Sequence, residues 1–384
     1  MSEWKKVKLG DLYEVHNGLS KGRQFFGTGF PFLTFSNVFN NWFLPEELES
    51  LVQTTDKERE ACSIKAGDVF ITRTSETMDE LGMSSVALKD YPNATYNGFT
   101  KRLRPITNRV NPRYIGYYLR TPKFRGQFMA FSTMTTRASL ANNDLLNMEV
   151  ELPSMEIQHR IATILSRYDS LIENYQKQIK LLEEAAQRLY KKWFIDLHFP
   201  RHENTNIIDG VPEGWEKKKV GDITPIITGK KDANFGTPDG EYPFFTCSQE
   251  PIKAPSFSFD CAAVLLAGNG DFNVKLYRGR FEAYQRTYVL SPYIDSHLYL
   301  LFYTISANMT KLAAGSSGST IKFLTKGMID GINLNVPNDE ILRSFNKKVE
   351  PIQSSRESLQ SQLRLLTEAR DRLLPKLMSG EITI

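Results

Sequence analysis

Cysteine is scarce in this sequence, and its few occurrences are scattered. The 384 residues include only Cys62, Cys247 and Cys261, an odd number without C-x-x-C spacing. This pattern excludes a disulfide framework and a zinc knuckle, and it indicates reduced thiols in a cytoplasmic protein. The five histidines show no metal-ligand spacing, so we expect no metal centre in the chain.

Long apolar runs are missing as well. The most apolar stretches, 262–268 and 298–303, are far shorter than the roughly 20 residues that span a bilayer. The opening residues lack the apolar segment of a secretory signal, and no G-x-x-x-x-G-K-[ST] phosphate loop occurs. We therefore expect a cytoplasmic protein that neither crosses a membrane nor hydrolyses ATP.

The overall composition is that of an ordinary globular protein. Hydrophobic residues make up 41%, charged residues 24%, and the formal net charge is +4. The length suggests two or three domains at roughly 150 residues each. A chain so close to neutral is not a polybasic protein, but a local basic face would still suffice for binding nucleic acid.

The chain contains a long internal repeat, too long for the period of a solenoid. Matching residues are 211 positions apart at the start of the two copies and 184 apart at their ends. The second copy is therefore shorter in its middle, where the copies diverge. In chain order, the matching segments are WKKVKLGDL (4–12) and WEKKKVGDI (215–223), FPFLT (30–34) and YPFFT (242–246), GDVFITR (67–73) and AAVLLAG (262–268), and ELPSMEI (151–157) and NVPNDEI (335–341).

Each copy has the same order: a mixed segment of short apolar runs and turn residues, a proline, and a long helical pattern. We name the mixed segments lobe 1 and lobe 2, and we expect helix within them around 112–130 and 296–312. The predicted fold class is α+β: two globular mixed α/β lobes joined by two long antiparallel coiled-coil helices, with an internal pseudo-twofold repeat. The predicted boundaries are 1–153 for lobe 1, 154–194 for the first helix, 195–214 for a linker, 215–337 for lobe 2, and 338–384 for the second helix and a tail.

The long helices carry an apolar seam whose steps alternate between four and three residues, which is the pattern of a coiled coil. A helix of roughly 35 residues would be about 50 Å long. Packing of the two helices on each other is favoured over packing of each helix only on its own lobe. The predicted seam residues are Ile161, Leu165, Tyr168, Ile172, Tyr175, Ile179, Leu182, Leu189, Leu359, Leu363, Leu366 and Leu373.

Three residues disturb the seam of the second helix. Arg356 and Arg370 replace apolar residues of the first copy, and we interpret them as register devices or partner contacts. Pro351 should kink or restart the helix, because proline removes a backbone hydrogen bond.

Positive charge is concentrated in one acid-free stretch. Residues 91–143 contain nine lysines and arginines and no acidic residue, which predicts a phosphate-attracting surface in lobe 1. A solvated face or an acidic protein partner is the alternative interpretation.

No group of residues has the spacing of a catalytic site. NPRY at 111–114 is similar to the NPPY of amino-methyltransferases, but Arg113 replaces a proline and no glycine-rich cofactor loop precedes it. Glu216 and Lys218 have the spacing of half of a nuclease carboxylate–lysine set, but they lie in the repeated opening motif, where a structural role is favoured.

The motifs together resemble a known family. Each copy opens with W-x-x-x-x-[LV]-G-D-[LI], closes with [LV]-P-x-x-E-I and continues into a heptad helix, and PKLMSGEI stands at 375–382. This pattern resembles the DNA specificity subunits of type I restriction–modification systems over nearly the whole chain. One departure is Leu342, which stands where the first copy has Gln158.

The resemblance implies a function and partners. Each lobe would be a target recognition domain that binds one half of a split double-stranded DNA sequence in the major groove, with the helices as spacer. Two modification subunits would dock on the helices, bind S-adenosylmethionine and methylate adenine. Restriction subunits would add translocation and cleavage with ATP and Mg²⁺. This chain would hold no cofactor and no catalytic residue.

The candidate DNA contacts lie near predicted strand ends and loops. Phosphates attract lysine and arginine, while base edges favour arginine, asparagine and glutamine. A solvated loop residue is the alternative at each position, and we expect Phe25, Phe26, Phe235 and Phe272 in the core. The candidates in lobe 1 are Lys21, Arg23, Ser36, Asn37, Arg73, Thr74, Ser75, Asn97, Lys101 and Arg102. The candidates in lobe 2 are Lys230, Lys231, Ser248, Gln249, Asn269, Lys275, Tyr284, Gln285 and Arg286.

Two other classes of function stay open at this point. A two-lobed coiled-coil scaffold would tether protein partners without binding DNA, and salt-dependent DNA binding separates it from a specificity subunit. A DNA-modifying enzyme in its own right would methylate or cut DNA as an isolated chain.

Overall fold

The computed structural model describes residues 4–75, 81–131, 138–316, 322–382 and 384. The chain forms two compact units, one of residues 1–174 with 362–384 and the other of residues 175–361. Each unit therefore contains one lobe and a part of both long helices.

Lobe 1 is built on a four-stranded antiparallel sheet in the order β2-β9-β5-β7, beside a three-stranded sheet in the order β4-β3-β8. Its central strand, β5, is buried along its whole length. The strands are β1 (Lys5–Lys8), β2 (Tyr13–Asn17), β3 (Phe26–Leu33), β4 (Leu51–Val52), β5 (Val69–Thr72), β6 (Thr74–Ser75), β7 (Ser84–Val86), β8 (Thr95–Tyr96), β9 (Thr100–Pro105), β10 (Ala138–Ser139) and β11 (Glu149–Leu152). The helices are α1 (Phe35–Asn40), α2 (Asp56–Ala61), α3 (Pro112–Tyr118), α4 (Pro122–Phe131), α5 (Asn142–Asn147) and the long α6 (Met155–Tyr190).

Lobe 2 is built on a six-stranded sheet in the order β15-β20-β18-β19-β16-β17. The apolar helix α8 packs against this sheet and fills the core of the second unit. The strands are β12 (Ile207–Ile208), β13 (Val211–Pro212), β14 (Glu216–Lys219), β15 (Ile226–Thr228), β16 (Tyr242–Phe245), β17 (Ile252–Ala254), β18 (Phe259–Ala267), β19 (Val274–Ala283), β20 (Thr287–Leu290) and β21 (Asn333–Val336). The helices are α7 (Val220–Ile223), α8 (Leu298–Gly315), α9 (Lys326–Asp330) and the long α10 (Asp339–Ser379).

The strands that open and close each lobe reproduce the repeat read from the sequence. In lobe 1, β1 pairs with β11 so that Lys5 faces Leu152. The residues 211 and 184 positions further along are Glu216 and Val336, and they face each other in the pair of β14 with β21. The two offsets in residue number therefore relate structurally equivalent positions of the two lobes.

The diverged middles also share one topology. The order β2-β9-β5-β7 in lobe 1 corresponds to β15-β20-β18-β19 in lobe 2, and all of these neighbours are antiparallel. One parallel pairing is also common to both lobes, between Leu33 and Tyr96 and between Phe245 and Ala283. Much of the shortening falls between β16 and β18, where β17 stands in place of α1, β4 and α2.

The two long helices pack on each other in antiparallel directions, as predicted. In the first unit Arg370 of α10 forms an ion pair with Asp169 of α6 at 2.9 Å. In the second unit Arg356 of α10 forms an ion pair with Glu183 of α6 at 3.4 Å, and Phe345 contacts Phe194 with ring centroids 4.8 Å apart. The alternative, that each helix packs only on its own lobe, is wrong.

The predicted seam positions are buried or half-buried on both helices. The neighbouring leucines off the seam, Leu171 and Leu181, are exposed. Burial therefore follows the alternation of four-residue and three-residue steps, which places one stripe of α6 against α10. Beyond α6 a π-helical turn, Lys191–Ile195, adds the buried Trp193 and Phe194.

The two seam arginines have the same surroundings in the two units. Each pairs with an acidic residue of α6, and each lies over an aromatic ring of the neighbouring lobe. Arg370 lies 5.3 Å from the Trp42 ring centroid and Arg356 lies 5.8 Å from that of Phe302. Tyr117 also donates a hydrogen bond to Asp169 at 2.5 Å. Both arginines therefore connect a lobe to both helices.

Pro351 does not restart the second helix, which was one of the alternatives predicted for it. Helix α10 runs without a break from Asp339 to Ser379, and Pro351 lies on its exposed face. The carbonyl that loses its helical donor there belongs to Lys347, which is an exposed residue, and at such a position water can replace the missing donor.

The replacement of Gln158 by Leu342 has a structural reason. The Gln158 side chain accepts a hydrogen bond from the Asn111 N–H at 2.9 Å and donates to the carbonyls of Arg109 and Pro153. Asn111 in turn caps α3, so NPRY is a helix start. Leu342 is instead buried in the apolar core of the second unit, and the loop before α8 is held by Asn346 of α10, whose amide donates to the Ser296 carbonyl at 2.7 Å.

The segment predicted as a linker, 195–214, contains the hairpin of β12 and β13. Its Phe199 is buried, and its ring lies 4.7 Å from that of Trp215. None of the described helices is long and apolar enough to cross a membrane.

A pair of adjacent leucines tests the seam. Leu182→Asp places a carboxylate in the seam and should lower the free energy of unfolding by about 2 kcal/mol or more. Leu181→Asp changes a side chain that is 64% exposed and should stay within about 0.5 kcal/mol. Urea denaturation measures both, and size-exclusion chromatography follows assembly with partners. Equal effects of the two substitutions would contradict the seam.

The Asp169–Arg370 pair can be tested by a double-mutant cycle with Asp169→Asn and Arg370→Met. We expect a coupling free energy of about 1–2 kcal/mol, because the pair is mostly buried and shares Tyr117. The exposed pair of Glu184 and Arg188 on α6 is the control, with an expected coupling of about 0.5 kcal/mol or less. A coupling no larger than the control would show that Arg370 does not fix the helix pairing.

Candidate nucleic-acid interface

Loops of lobe 2 meet at one end of its sheet, and we name residues 229–232, 246–249, 268–273 and 284–286 the lobe 2 tip. Hydrogen bonds join these loops directly. The Gly268 N–H donates to the Arg286 carbonyl at 2.8 Å, and the Gln285 N–H donates to the Lys231 carbonyl at 2.9 Å. The Asn273 amide donates to the Cys247 carbonyl at 2.9 Å. Most of the lobe 2 candidates therefore lie in one connected surface.

Lobe 1 has an equivalent tip, formed by residues 18–23, 34–37, 73 and 97–99. The Arg73 N–H donates to the Phe99 carbonyl at 3.0 Å, and the Asn97 N–H donates to the Leu33 carbonyl at 3.1 Å. Because Arg73 and Gly268 end the matching strand segments, the turn 97–99 corresponds to the turn 284–286.

A glycine permits the close approach of strand and turn in each tip. A Cβ atom on Gly18 would lie 2.0 Å from the Asn97 carbonyl oxygen, and one on Gly229 would lie 1.9 Å from that of Ala283. No other residue fits at these distances. The glycine–lysine patches of the repeat therefore mark the same backbone crossing in both lobes.

Several lobe 2 candidates are exposed at the tip. Lys230, Gln249, Gln285 and Arg286 are all exposed, as is Ser248. The Gln249 amide donates to Asp271 at 2.9 Å and the Gln285 amide donates to Asp232 at 3.2 Å. Carboxylate partners hold these two amides in place, and amides are the groups that read adenine.

Other lobe 2 candidates hold the loops of the tip in place through contacts within the lobe. Lys275 donates to the Ser248 carbonyl at 2.7 Å and to the Asn273 side chain, and burial lowers its pKa. The Lys231 ammonium lies 4.2 Å from the Phe235 ring centroid. Asn269 forms a single backbone bridge with Phe323, and Tyr284 forms one with Lys231. These contacts order the loops.

Two lobe 1 candidates are inside the protein, so their side chains offer no exposed group to DNA. Lys101 is 4% exposed and Arg102 is 5% exposed. Lys101 donates to Asn142, and its pKa is lowered by burial and by the charge of Arg73. Arg102 donates to the carbonyls of Ala61 and Ser63. Both residues lie on β9, shortly after the turn of the tip, and they are buried in the sheet.

Asn97 also has a structural role. Its side-chain amide donates to the Leu33 carbonyl at 3.1 Å and its side-chain oxygen accepts from the Phe99 N–H at 2.8 Å. Asn97 therefore holds the turn that it occupies, and its buried side chain has no exposed group for a base.

Lys21 and Asn37 are likewise engaged. Lys21 donates to the Gln53 carbonyl and forms an ion pair with Glu58 at 2.8 Å. The contact with Lys21 lowers the pKa of Glu58. The Asn37 side chain accepts from the N–H of Thr34 in a capping box at the start of α1.

Two of the remaining lobe 1 candidates lie at the surface. Arg23 and Ser36 are exposed, and Ser36 accepts from Asn40. The side chains of Thr74 and Ser75 lie outside the described residues. Phe26 was expected in the core, but it is 42% exposed because its end of β3 lies at the surface.

The acid-free stretch does not form the basic surface that its composition predicted. Arg104 pairs with the buried Asp68 at 2.6 Å, and Lys123 pairs with Glu151 at 2.6 Å. Arg120 donates to four backbone carbonyls, and burial lowers its pKa to about 10. Three cations of the stretch stay exposed in the described part, namely Arg109, Arg113 and the paired Lys123; Arg137 lies outside it.

The sequence comparison missed the equivalence of the two turns. YNGFT at 96–100 and AYQRT at 283–287 share only the final threonine, yet Thr100 and Thr287 each donate their N–H to the first residue of the turn. Only backbone pairing relates them, so no pattern of side chains could have revealed the match. Phe99, which was not a candidate, is 60% exposed in this turn.

Comparison with known proteins decides the family. A family model described as "Type I restriction modification DNA specificity domain" matches residues 1–184 and 212–355. The chain belongs to this family. The resemblance drawn from the repeated opening and closing motifs is thereby confirmed.

Individual members of the family support the assignment. The specificity subunit of the type I restriction enzyme EcoDI from Escherichia coli is 36% identical over 177 residues, which is 45% of this chain and 40% of that protein. The MjaIX specificity subunit from Methanocaldococcus jannaschii is 26% identical over 416 residues, which covers all of this chain and 94% of the relative.

A solved structure shows the same fold. The S subunit of a type I restriction–modification system from M. genitalium matches with a TM-score of 0.64 at 16% identity, over 98% of this chain and 96% of that one. This chain is therefore a two-lobed type I DNA specificity subunit in sequence family and in fold.

Within the described residues, no three His, Cys, Asp or Glu side chains are grouped as they are around a metal ion.

The roles of two lobe 1 candidates can be separated by substitution. Asn97→Ala leaves the Phe99 N–H and the Leu33 carbonyl without partners and should cost about 1–3 kcal/mol of stability. Arg23→Ala, at an exposed position, should change stability by less than about 0.5 kcal/mol and weaken DNA binding. Thermal unfolding and fluorescence anisotropy measure the two effects. If Asn97→Ala kept full stability and lost base preference, the structural role would be wrong.

Proposed function

We propose that each lobe reads one half of a bipartite double-stranded DNA target through its tip. The supporting observation is that one backbone arrangement occurs twice and carries different exposed side chains. A shared backbone gives both tips the same way of approaching DNA, while different side chains contact different base edges. The long helices then set the separation of the two half-sites as spacer.

The proposed contacts follow from exposure at the tips. Cations such as Arg23, Lys230 and Arg286 contact phosphates or guanine, and Gln249 and Gln285 offer amides to adenine. Arg73 belongs to the set because its backbone lies in the lobe 1 tip and its buried Nε has no hydrogen-bond partner within the described residues.

The chemistry is assigned to other subunits. Two modification subunits dock on the long helices, bind S-adenosylmethionine and methylate adenine, and restriction subunits translocate and cleave DNA with ATP and Mg²⁺. The chain itself binds no cofactor and has no catalytic residue. The assembly works in the cytoplasm, without a membrane partner.

The two other classes of function predict different results. A protein-tethering scaffold would show no DNA affinity that falls with rising salt. A DNA-binding subunit loses affinity steeply, because binding releases counterions from the DNA and this release is less favourable at higher salt. An enzyme in its own right would methylate or cut DNA when the chain is purified alone.

Methylome sequencing tests the proposed function. The chain and its modification subunits are co-expressed in a host without other adenine methylation, and the methylated sequences should form one bipartite motif. Arg73→Ala should relax or weaken one half of this motif and leave the other half unchanged, so that the second half is an internal control. Equal changes in both halves, or methylation without a bipartite motif, would contradict one half-site per lobe.

A further inference from the structure

Two exposed side chains occupy equivalent positions in the two tips. Phe99 directly precedes β9, and its carbonyl accepts from the Arg73 N–H at 3.0 Å. Arg286 directly precedes β20, and its carbonyl accepts from the Gly268 N–H at 2.8 Å. The fold therefore presents a phenyl ring in lobe 1 where it presents a guanidinium in lobe 2.

The backbone under both side chains is fixed. The Phe99 N–H donates to the Asn97 side chain at 2.8 Å, in addition to the carbonyl contact with Arg73. Arg286 is held through its carbonyl by Gly268 and also by the Cys247 thiol, at 3.7 Å. A side chain on a fixed backbone can read a base, because its reach is set before DNA binds.

Neither side chain is used by its own lobe. Phe99 is 60% exposed, so its ring contributes little to the core, and no other ring or cation stacks on it within the described residues. Arg286 is exposed, and its guanidinium has no hydrogen bond or ion pair with any residue that the structure describes. By contrast, the adjacent Gln285 is held by Asp232. Phe99 and Arg286 are therefore available for a partner.

The two chemistries match different base edges. In the major groove, guanine offers two acceptors that a guanidinium can bind together, and thymine offers a methyl group that a phenyl ring can contact. On the basis of the function proposed above, we propose that Phe99 and Arg286 are specificity-determining residues at equivalent positions of the two half-sites. Phe99 selects a thymine in the half-site of lobe 1, and Arg286 selects a guanine in that of lobe 2.

Alanine variants of the full chain, assembled with the modification subunits, test the assignment by methylome sequencing. Phe99→Ala should make one thymine position of the first half-site degenerate and leave the second half-site unchanged. Arg286→Ala should do the same at one guanine of the second half-site, with a loss of discrimination of about 5- to 100-fold. Ile106→Ala is the matched control, because Ile106 is equally exposed and follows the opposite end of β9.

A second measurement uses the wild-type assembly and single-atom changes in the DNA, so it does not depend on the folding of variants. Replacing the selected thymine by uracil removes one methyl group and should weaken binding about fourfold. Replacing the selected guanine by 7-deazaguanine removes one acceptor and should weaken binding about tenfold. Phe99→Ala should abolish the uracil effect, and Arg286→Ala the 7-deazaguanine effect.

The outcomes separate failure of this assignment from failure of the proposed function. If the wild-type assembly methylates a bipartite motif but Phe99→Ala and Arg286→Ala keep every base preference, the assignment is wrong and the two-lobe function stands. A uniform loss of affinity by Phe99→Ala on all sequences would make the ring a wedge between base pairs and would also overturn the assignment. Absence of any sequence preference in the wild type would overturn both.

Discussion

The pairing of α6 with α10 is the constraint on which both lobes depend. Each lobe completes its apolar core with residues from both helices: Leu165 and Leu377 belong to the core of the first unit, and Tyr190 and Phe345 to that of the second. Neither helix could be withdrawn without opening both cores. The seam arginines add direction to this pairing, because a mostly buried guanidinium needs its carboxylate partner at one register.

The same backbone arrangement occurs in both lobes. The two tips therefore have the same form, although their exposed side chains differ in chemistry. The glycines at 18 and 229 and the backbone bonds of Arg73 and Gly268 fix the turns. Phe99 and Arg286 then differ without any change in the fold. Recognition can therefore diverge between lobes while the cores and the helices stay the same.

Repeat and periodicity were readable from the sequence, whereas burial of charge was not. The offsets of 211 and 184 were read from matching motifs, and the strand pairs of Lys5 and of Glu216 reproduce them. Composition shows that Arg102 and Arg120 are cationic but not that backbone carbonyls surround them. The equivalence of the two tip turns could not be predicted from the sequence. Backbone hydrogen bonds define these turns, and such bonds form with many different side chains.

The central claim is that two lobes read two half-sites independently, and equilibrium competition at one fixed salt concentration tests it most directly. Four DNAs are compared on the assembled complex: both half-sites intact, either half scrambled, and both scrambled. The account predicts that the free-energy costs of the single changes add to that of the double change within about 0.5 kcal/mol. A single scrambled half that costs as much as both, or one that costs nothing, would contradict it.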